Sequence, residues 1–421
     1  MSKLAISGGE PIRKRSFASW PVFDERERRA LAEVLESGIW GGYSPKVKEF
    51  EQAFARVHQT RCGVTAANGT VTLEAALTAA GVCKGDEVIV PSISFIATAT
   101  AVLRIGAVPV FADIDEATSN LDPVHVAEAI TPRTRAIIPV HFAGQPADLD
   151  AIMEIAQRHD LVVIEDCAHA HGATWRGRKV GSFGCFGSFS FQASKNMTAG
   201  EGGILITNDE RLAEQARSLC NHGRQSGGAW YEHLTLGTNY RLTGWQAALL
   251  LAQLTRLPEQ LQRRADNAKL LTEHLRQCDI ITTPIVDERV TCHSHYLYLL
   301  RLNLDRYPGL TKDKFVRALA AEGIPCREGY PYPLYRNRVF DTYLNRRGDC
   351  PAAEKMCADT FWVSHEILLA QPDDLADVAS AILKVSEGIT ELVEENISDE
   401  FRSSASAAET VSADSGGSTS G

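Results

Sequence analysis

Between about residues 64 and 208, short apolar runs alternate with stretches in which apolar positions recur every three or four residues. The runs EVIVP (87–91), VPVFADI (108–114), AIIPVHFAG (136–144) and LVVIEDCAHAHG (161–172) are apolar at successive positions, as in strands covered on both faces. The intervening DPVHVAEAI and ADLDAIMEIAQRHD each carry one apolar side and predict helices. Strand–helix–strand succession of this kind predicts an α/β fold with a mostly parallel central sheet flanked by helices. FGSFSF and GGILITND predict a hairpin-like addition to that sheet.

Past residue 243 the pattern changes. GWQAALLLAQLTRLPEQLQRRADNAKLLTEHLRQ predicts one long helix or two, linking to a second unit. From about 280 to 393, strand patterns (SHYLYLLRL) mix with helical ones (KDKFVRALAAEG), as a smaller α+β domain would. The expected division is a large domain over 1–260 that includes the N-terminal segment, a small C-terminal domain over 261–397, and a tail over 398–421. The tail is small, polar and aperiodic, and is predicted disordered.

Composition narrows the function classes. With 44% hydrophobic and 23% charged residues, the 421-residue chain reads as an ordinary soluble globular protein. A formal charge of −10 argues against a nucleic-acid partner, which wants a basic face. No apolar run is long enough to span a membrane, and the N-terminus lacks the apolar core of a signal peptide. Ten cysteines without CxxC spacing suggest neither zinc nor a disulfide framework, and so a reducing, cytoplasmic setting.

Functional groups of a parallel sheet gather at the carboxyl ends of its strands. Asn68-Gly69-Thr70 stands just before an amphipathic helix: glycine permits close approach, the helix start offers free N–H groups and Thr70 adds a hydroxyl, a setting for an anion. An ordinary helix cap has the same signature. Phe95, past a strand end, is a core ring or a stacking platform. Glu165 and Asp166 close a very apolar strand, and alternation lets only one of them enter a given crevice. A carboxylate buried there is costly unless it meets a cation. In SFSFQASK, Ser188 and Ser190 share a face, and Lys195 follows within reach of the same pocket, ahead of the glycine-rich GEGG.

An anion site, a flat ring to be stacked, a carboxylate for a ring cation and an amine are the complement of pyridoxal 5′-phosphate. Its phosphate suits Gly69, Thr70 and Ser190, its ring Phe95, its pyridinium nitrogen Asp166 and its aldehyde Lys195.

VTAANGT, PSISFIATATAV, PVFADID, PVHFAGQPADLDAI, IEDCAHAHGA, SFSFQASKNMTAGEGG and GTNYRLTGWQAALLLAQL together resemble the sugar aminotransferases of the DegT–StrS group, which are fold-type I enzymes dependent on pyridoxal phosphate. The resemblance runs from AISGGEPI to about residue 393. It implies that Lys195 is the Schiff-base lysine and Asp166 the pyridinium partner. It sets His169 beside the cofactor ring, where many relatives carry glutamine. It also implies that Asn239 is lent across a homodimer interface to the neighbouring phosphate, so that active sites are shared. A lysine at 195, where dehydrating relatives carry histidine, implies ping-pong amino transfer. The freed amine moves a proton from the donor's α-carbon to the cofactor.

FWVSHEILLA and EGYPYPLYRN resemble the cyclitol (scyllo-inosose type) aminotransferases. This implies transfer from L-glutamine or L-glutamate to a keto-cyclitol or keto-sugar, in amino-sugar, aminocyclitol or antibiotic biosynthesis. AHAHGA, NMTAGEGG and SHY also resemble the 3-amino-5-hydroxybenzoate synthases, so a dehydrating, aromatising lyase is the alternative. A non-catalytic cofactor-binding regulator is a third reading, but no appended DNA-binding helix-turn-helix is evident. Trp40, His293, His295, Tyr330 and Tyr332 are further pocket candidates without an assigned role.

Overall fold

The computed structural model describes residues 3–343 and 349–394. The tail expected from 398 onward lies outside the described residues. The chain enters through helices α1 (Glu25–Ser37) and α2 (Pro45–Val57), then builds the strands of one large sheet. These are β1 (Cys62–Ala66), β2 (Glu87–Pro91), β3 (Val108–Ala112), β4 (Thr134–Ile137) and β5 (Val162–Asp166). The short ribbon strands β6 (Thr174–Trp175) and β7 (Arg178–Lys179) follow, and β8 (Phe186–Ser190) and β9 (Gly203–Thr207) complete the sheet. Helices α3 (Gly69–Ala79), α4 (Ala97–Arg104), α5 (Pro123–Ala129), α6 (Leu149–Arg158) and α7 (Glu210–Cys220) lie between or after these strands.

The large sheet has the order β1-β9-β8-β5-β4-β2-β3. Pairing is parallel through β8-β5-β4-β2-β3, and β9 runs antiparallel to both of its neighbours. The expected hairpin is thus β8–β9, inserted before the edge strand β1. Period-2 alternation sorts the side chains: Phe186 and Leu205 enter the core on one face, with α3, while Phe189, Ile204 and Ile206 enter the core on the other, with α2.

Two expected strands stop early. The run at 136–144 leaves the ladder after Ile137, and Ala143 (φ 55°) with Gly144 (φ 98°) turns it into a short 3₁₀ segment. Past Ile137 the pairing thins to an isolated bridge between Val140 and Asp166, and the apolar character of residues 142–144 reflects burial. The run at 161–172 likewise ends as a strand at Asp166.

Helix α8 (Gly244–Leu275) is a single 32-residue helix that crosses the expected division at 260/261 unbroken, with Pro258 inside it. It starts on a reciprocal cap between Thr243 and Gln246. Strands β10 (Ile281–Thr282), β11 (Val290–Cys292), β12 (Leu297–Leu302) and β13 (Thr360–Ser364) follow, with helices α9 (Lys312–Ala321), α10 (Pro351–Asp359), α11 (Pro372–Glu387) and α12 (Ile389–Glu394). A second sheet, β10-β12-β13, is antiparallel throughout, while β11 joins the β6–β7 ribbon. The second core combines Tyr298 and Leu300 of β12, Phe315 of α9, Phe361 of β13 and Ile382 of α11 with Leu4 from the start of the chain. Alternation on β12 sends Leu297 and Leu299 the other way, into the first core. The second sheet is therefore pinned against the first.

Candidate active site

The carboxyl end of β5 delivers two acids to opposite sides. Glu165 is fully buried and accepts hydrogen bonds from the N–H groups of Gly181, Phe183 and Gly184 and from His141 Nε2 (2.7–3.1 Å). Because His141 Nδ1 accepts from Ala147 N–H, the proton of this imidazole sits on Nε2. Every hydrogen-bonding atom of the pair is committed, so it ties the 181–184 turn to the sheet.

Asp166 faces the α3–α4 side. Thr98 Oγ1, from the first turn of α4, donates to Oδ2 at 2.8 Å, and Ala168 N–H donates to Oδ1 at 3.1 Å. The residue is only 5% exposed. Burial pushes its carboxyl above the ordinary range, against the pull of those two hydrogen bonds and of the Lys195 charge. A buried acid in that condition gains from a cation placed beside it.

A cleared helix start adjoins it. Asn68 caps α3 by accepting from the N–H groups of Thr70 and Val71. A methyl group on Gly69 would stand 2.7 Å from Ser190 Cβ, and one on Gly203 would stand 2.6 Å from the Asn68 carbonyl carbon. Both glycines are needed for α3 to meet the β8–β9 hairpin this closely. Thr72 donates to the Gly69 carbonyl and so accepts from Ser188. Ser188 is therefore engaged in holding the helix start, while Ser190 stands against Gly69 at the mouth.

Lys195 sits in the turn beyond β8, where its N–H donates to the Gln192 carbonyl at 2.9 Å. Its Nζ lies 4.5 Å from the centroid of the Tyr296 ring and, among the described residues, makes no hydrogen bond. The Tyr296 ring lies 4.2 Å from that of His169, and its hydroxyl is 2.9 Å from Ser194 Oγ. Among the described residues, His169 Nδ1 is buried without a hydrogen-bond partner. Burial, aided by the Lys195 charge, holds this imidazole well below its usual range, hence neutral.

Comparison with known proteins gives the family. The model of the DegT/DnrJ/EryC1/StrS aminotransferase family matches residues 21–383. The chain belongs to this aminotransferase family. It is 40% identical over 421 residues to L-glutamine:scyllo-inosose aminotransferase of Streptomyces griseus, covering 93% of this chain and 99% of that one. It is 38% identical over 384 residues to 3-amino-5-hydroxybenzoate synthase of Amycolatopsis mediterranei, covering 87% and 96%. A crystal structure of 3-amino-5-hydroxybenzoic acid synthase superposes with a TM-score of 0.84 at 37% identity, over 89% of this chain and all of that chain. The fold is thus fold-type I of the pyridoxal phosphate-dependent transferases, and the protein is an aminotransferase of the DegT/DnrJ/EryC1/StrS family.

Of the eight residues singled out from the sequence, Gly69 stands against Ser190 with Thr70 next in α3, and Asp166 and His169 both lie within reach of the Lys195 charge. Phe95 stands at the entry to α4 with 58% of its surface exposed, so it is not a core ring. Asn239 is also exposed, bridges to Asn221 and accepts from Arg241 N–H. Of the unassigned candidates, Tyr330 borders the site, 6.2 Å from Phe142 and 5.6 Å from Trp362. His293 and His295 stack on each other at 4.0 Å and line a neighbouring cavity with Phe142 and Gln145. Trp40 packs on Trp245, and Tyr332 is exposed.

Sequence reading missed Thr98, Ser294, Tyr296 and His365. Fully buried Ser294 donates to the His169 carbonyl at 2.6 Å, and its own carbonyl accepts from Asn196 Nδ2. His365 Nδ1 accepts from Arg264, so its Nε2 carries the proton and donates to the Ser194 carbonyl at 2.9 Å. Thr98 lies 68 positions from Asp166 and Tyr296 lies 101 from Lys195, and no local pattern links either pair.

Proposed function

We propose that this aminotransferase uses pyridoxal 5′-phosphate to move the amino group of L-glutamine to a keto-cyclitol, as a step in aminocyclitol or antibiotic biosynthesis. The observation that carries the reading is a buried acid, Asp166, within reach of the Lys195 amine and on the strand beside β8, whose Ser190 meets the start of α3 at Gly69. The residues fit the cofactor: Asp166 answers a ring cation, and the start of α3 at Gly69, with the hydroxyls of Thr70 and Ser190 beside it, suits a phosphate. The unpartnered Nδ1 of His169 offers the ring edge a polar neighbour. Phe95, at the mouth, is the candidate stacking ring.

When bound, the cofactor supplies an aldehyde that condenses with amines and a cationic ring that draws electrons from the carbon being deprotonated. Lys195 would hold it through Nζ, and the same amine would carry a proton away from the donor's α-carbon. Asp166 keeps a proton on the ring nitrogen. Neutral His169 adds no positive charge to compete with that proton. With a ketone as acceptor, Lys195 would return a proton from Nζ to the carbon that receives the amino group.

A keto-cyclitol acceptor and a glutamine donor are favoured by the higher identity and wider coverage shared with the scyllo-inosose enzyme. A dehydrating, aromatising lyase reaction is the second reading, favoured by the 0.84 superposition. We also infer a homodimer in which Asn239 reaches the partner's phosphate site. Trp230, Tyr231 and Leu236 leave 80%, 76% and 96% of their surface exposed on the same stretch of chain as Asn239, an apolar area that a second copy would cover. All ten cysteines are free, in keeping with the cytoplasm, and no described helix is long and apolar enough to cross a membrane.

The test is twofold. Borohydride reduction of the native enzyme followed by peptide mapping should place the cofactor on Lys195, and Lys195→Ala should abolish both the label and amino transfer. A label on another side chain would end the assignment. Incubation with scyllo-inosose and L-glutamine should give an aminated cyclitol and a 2-oxo acid in equal amounts; loss of water from the ring without donor consumption would favour the lyase.

A further inference from the structure

We propose that the face of the Tyr296 ring is the dock for the Lys195 ammonium, the proton-carrying form of the amine, and that it assists proton uptake at Nζ. The inference rests on the role given to Lys195 above. An amine 4.5 Å from a ring centroid lies well inside the reach of a cation–π attraction. The ring is only 9% exposed and is held from several sides. Its hydroxyl meets Ser194 Oγ, one face meets His169, and His365 stacks at 5.8 Å with planes 24° apart. Ser294, two residues earlier, is bound to the His169 carbonyl and fixes the backbone that carries the ring.

The charges around Lys195 make this face matter. The titratable groups that interact with it are Asp166 at the end of β5, His169 and His171 in the turn after it, and His365 after β13. All three imidazoles are neutral. His171 donates from Nε2 to the Ser190 carbonyl and is held down to about 3 by burial. His365 faces the Arg264 guanidinium with an unprotonated Nδ1, and a second proton there would oppose that cation. An ammonium at Lys195 therefore has one anion, Asp166, and one aromatic face. Once Asp166 is committed to the ring nitrogen of the cofactor, the negative face of Tyr296 is the remaining counterpart to the ammonium.

The experiment reads Lys195 in the cofactor-free protein, independently of turnover. An amine-selective acylating reagent attacks the free amine and not the ammonium, so labelling of the Lys195 peptide against pH, followed by mass spectrometry, reports how well the ammonium is held. Tyr296→Phe, which keeps the face, should label within about twofold of wild type. Tyr296→Leu, which keeps bulk but loses the face, should label about tenfold faster at neutral pH. Should Tyr296→Leu fail to fold, phenylalanines of increasing fluorination at position 296 keep the shape while draining the face, and labelling should rise in step. In the loaded enzyme the same series should slow proton removal from α-deuterated glutamine while borohydride still maps to Lys195. Equal labelling across the fluorinated series, or Phe behaving like Leu, would overturn the proposal. A borohydride label elsewhere would instead overturn the reading on which it rests.

Discussion

Replacing Asp166 with asparagine separates charge from shape. In the native protein Thr98 Oγ1 donates to one carboxylate oxygen and Ala168 N–H to the other. An asparagine keeps its single oxygen for Ala168 and turns its NH₂ group to Thr98. The Thr98 hydroxyl can then donate to Ser94 Oγ, 2.8 Å away. The Ser94 hydroxyl, which had donated to Thr98, must find a new acceptor, a cost of about 1 kcal/mol that the fold should withstand. What disappears is a full negative charge. A contact ion pair is worth about 4 kcal/mol at an effective dielectric of about 20, or about three pK units on the ring nitrogen it faces. Without that support the ring nitrogen gives up its proton near neutrality, and the donor half-reaction should slow about a thousandfold.

Stability should move the other way. Burial raises the Asp166 carboxyl above its ordinary 3.8 in the cofactor-free protein, so the native state keeps a proton that the unfolded chain releases. The native state then binds more protons than the unfolded one, and stability falls as pH climbs through that window. Asparagine does not titrate. The melting temperature of the cofactor-free Asp166→Asn protein should therefore rise relative to wild type between about pH 4 and pH 7. Single-turnover absorbance with glutamine and melting of the cofactor-free proteins against pH would measure both effects. A half-reaction within about threefold of wild type, or a melting temperature that falls relative to wild type over that range, would refute the reasoning.

Gly69→Ala sets a methyl group 2.7 Å from Ser190 Cβ, an atom fixed to the backbone of β8. One element must shift, at a cost of about 1–3 kcal/mol; cofactor affinity by fluorescence titration should fall at least about tenfold, and an unchanged affinity would remove the helix start from the phosphate site. His58 and His171 are each held at about 3, chiefly by burial, and so are neutral when native but take up protons when unfolded below their ordinary 6.5. The stability they contribute is complete above pH 6.5 and is lost as pH falls, by about 3 kcal/mol per histidine between pH 6.5 and 4. Urea unfolding of His58→Gln against wild type at several pH values should show a shallower acid loss, and titration of the assigned His58 or His171 imidazole signals near 6.5 in the native protein would contradict it.

The parts of the site that local pattern revealed are those whose position follows from a strand. Alternation in FGSFSF set Ser188 and Ser190 on one face and Phe189 on the other, and β8 keeps that arrangement because both faces of the sheet are covered. Asp166 was readable for the same reason: it ends β5 on the side of Ile164, while Glu165 turns away into its own network. The run at 136–144 misled because apolar character reports burial, and a buried turn through Ala143 and Gly144 carries as much of it as a strand.

Tyr296 and His365 were illegible for a different reason. Each sits in an apolar stretch that reads as a plain strand former, and their meaning depends on a pairing more than sixty residues apart in the chain. Leu297 of β12 pairs with Ser364 of β13. Tyr296 precedes that pair on one strand and His365 follows it on the other, so the register of two strands in the second sheet brings both rings beside the Lys195 turn. A slip of one residue would send the alternating side chains of β12 to the wrong faces, exchanging Tyr298 and Leu300 with Leu297 and Leu299 between the two cores. The hydrophobic pattern that forbids that slip is consequently also what aims an aromatic face at the amine: the second sheet's packing sets the geometry of the first sheet's chemistry.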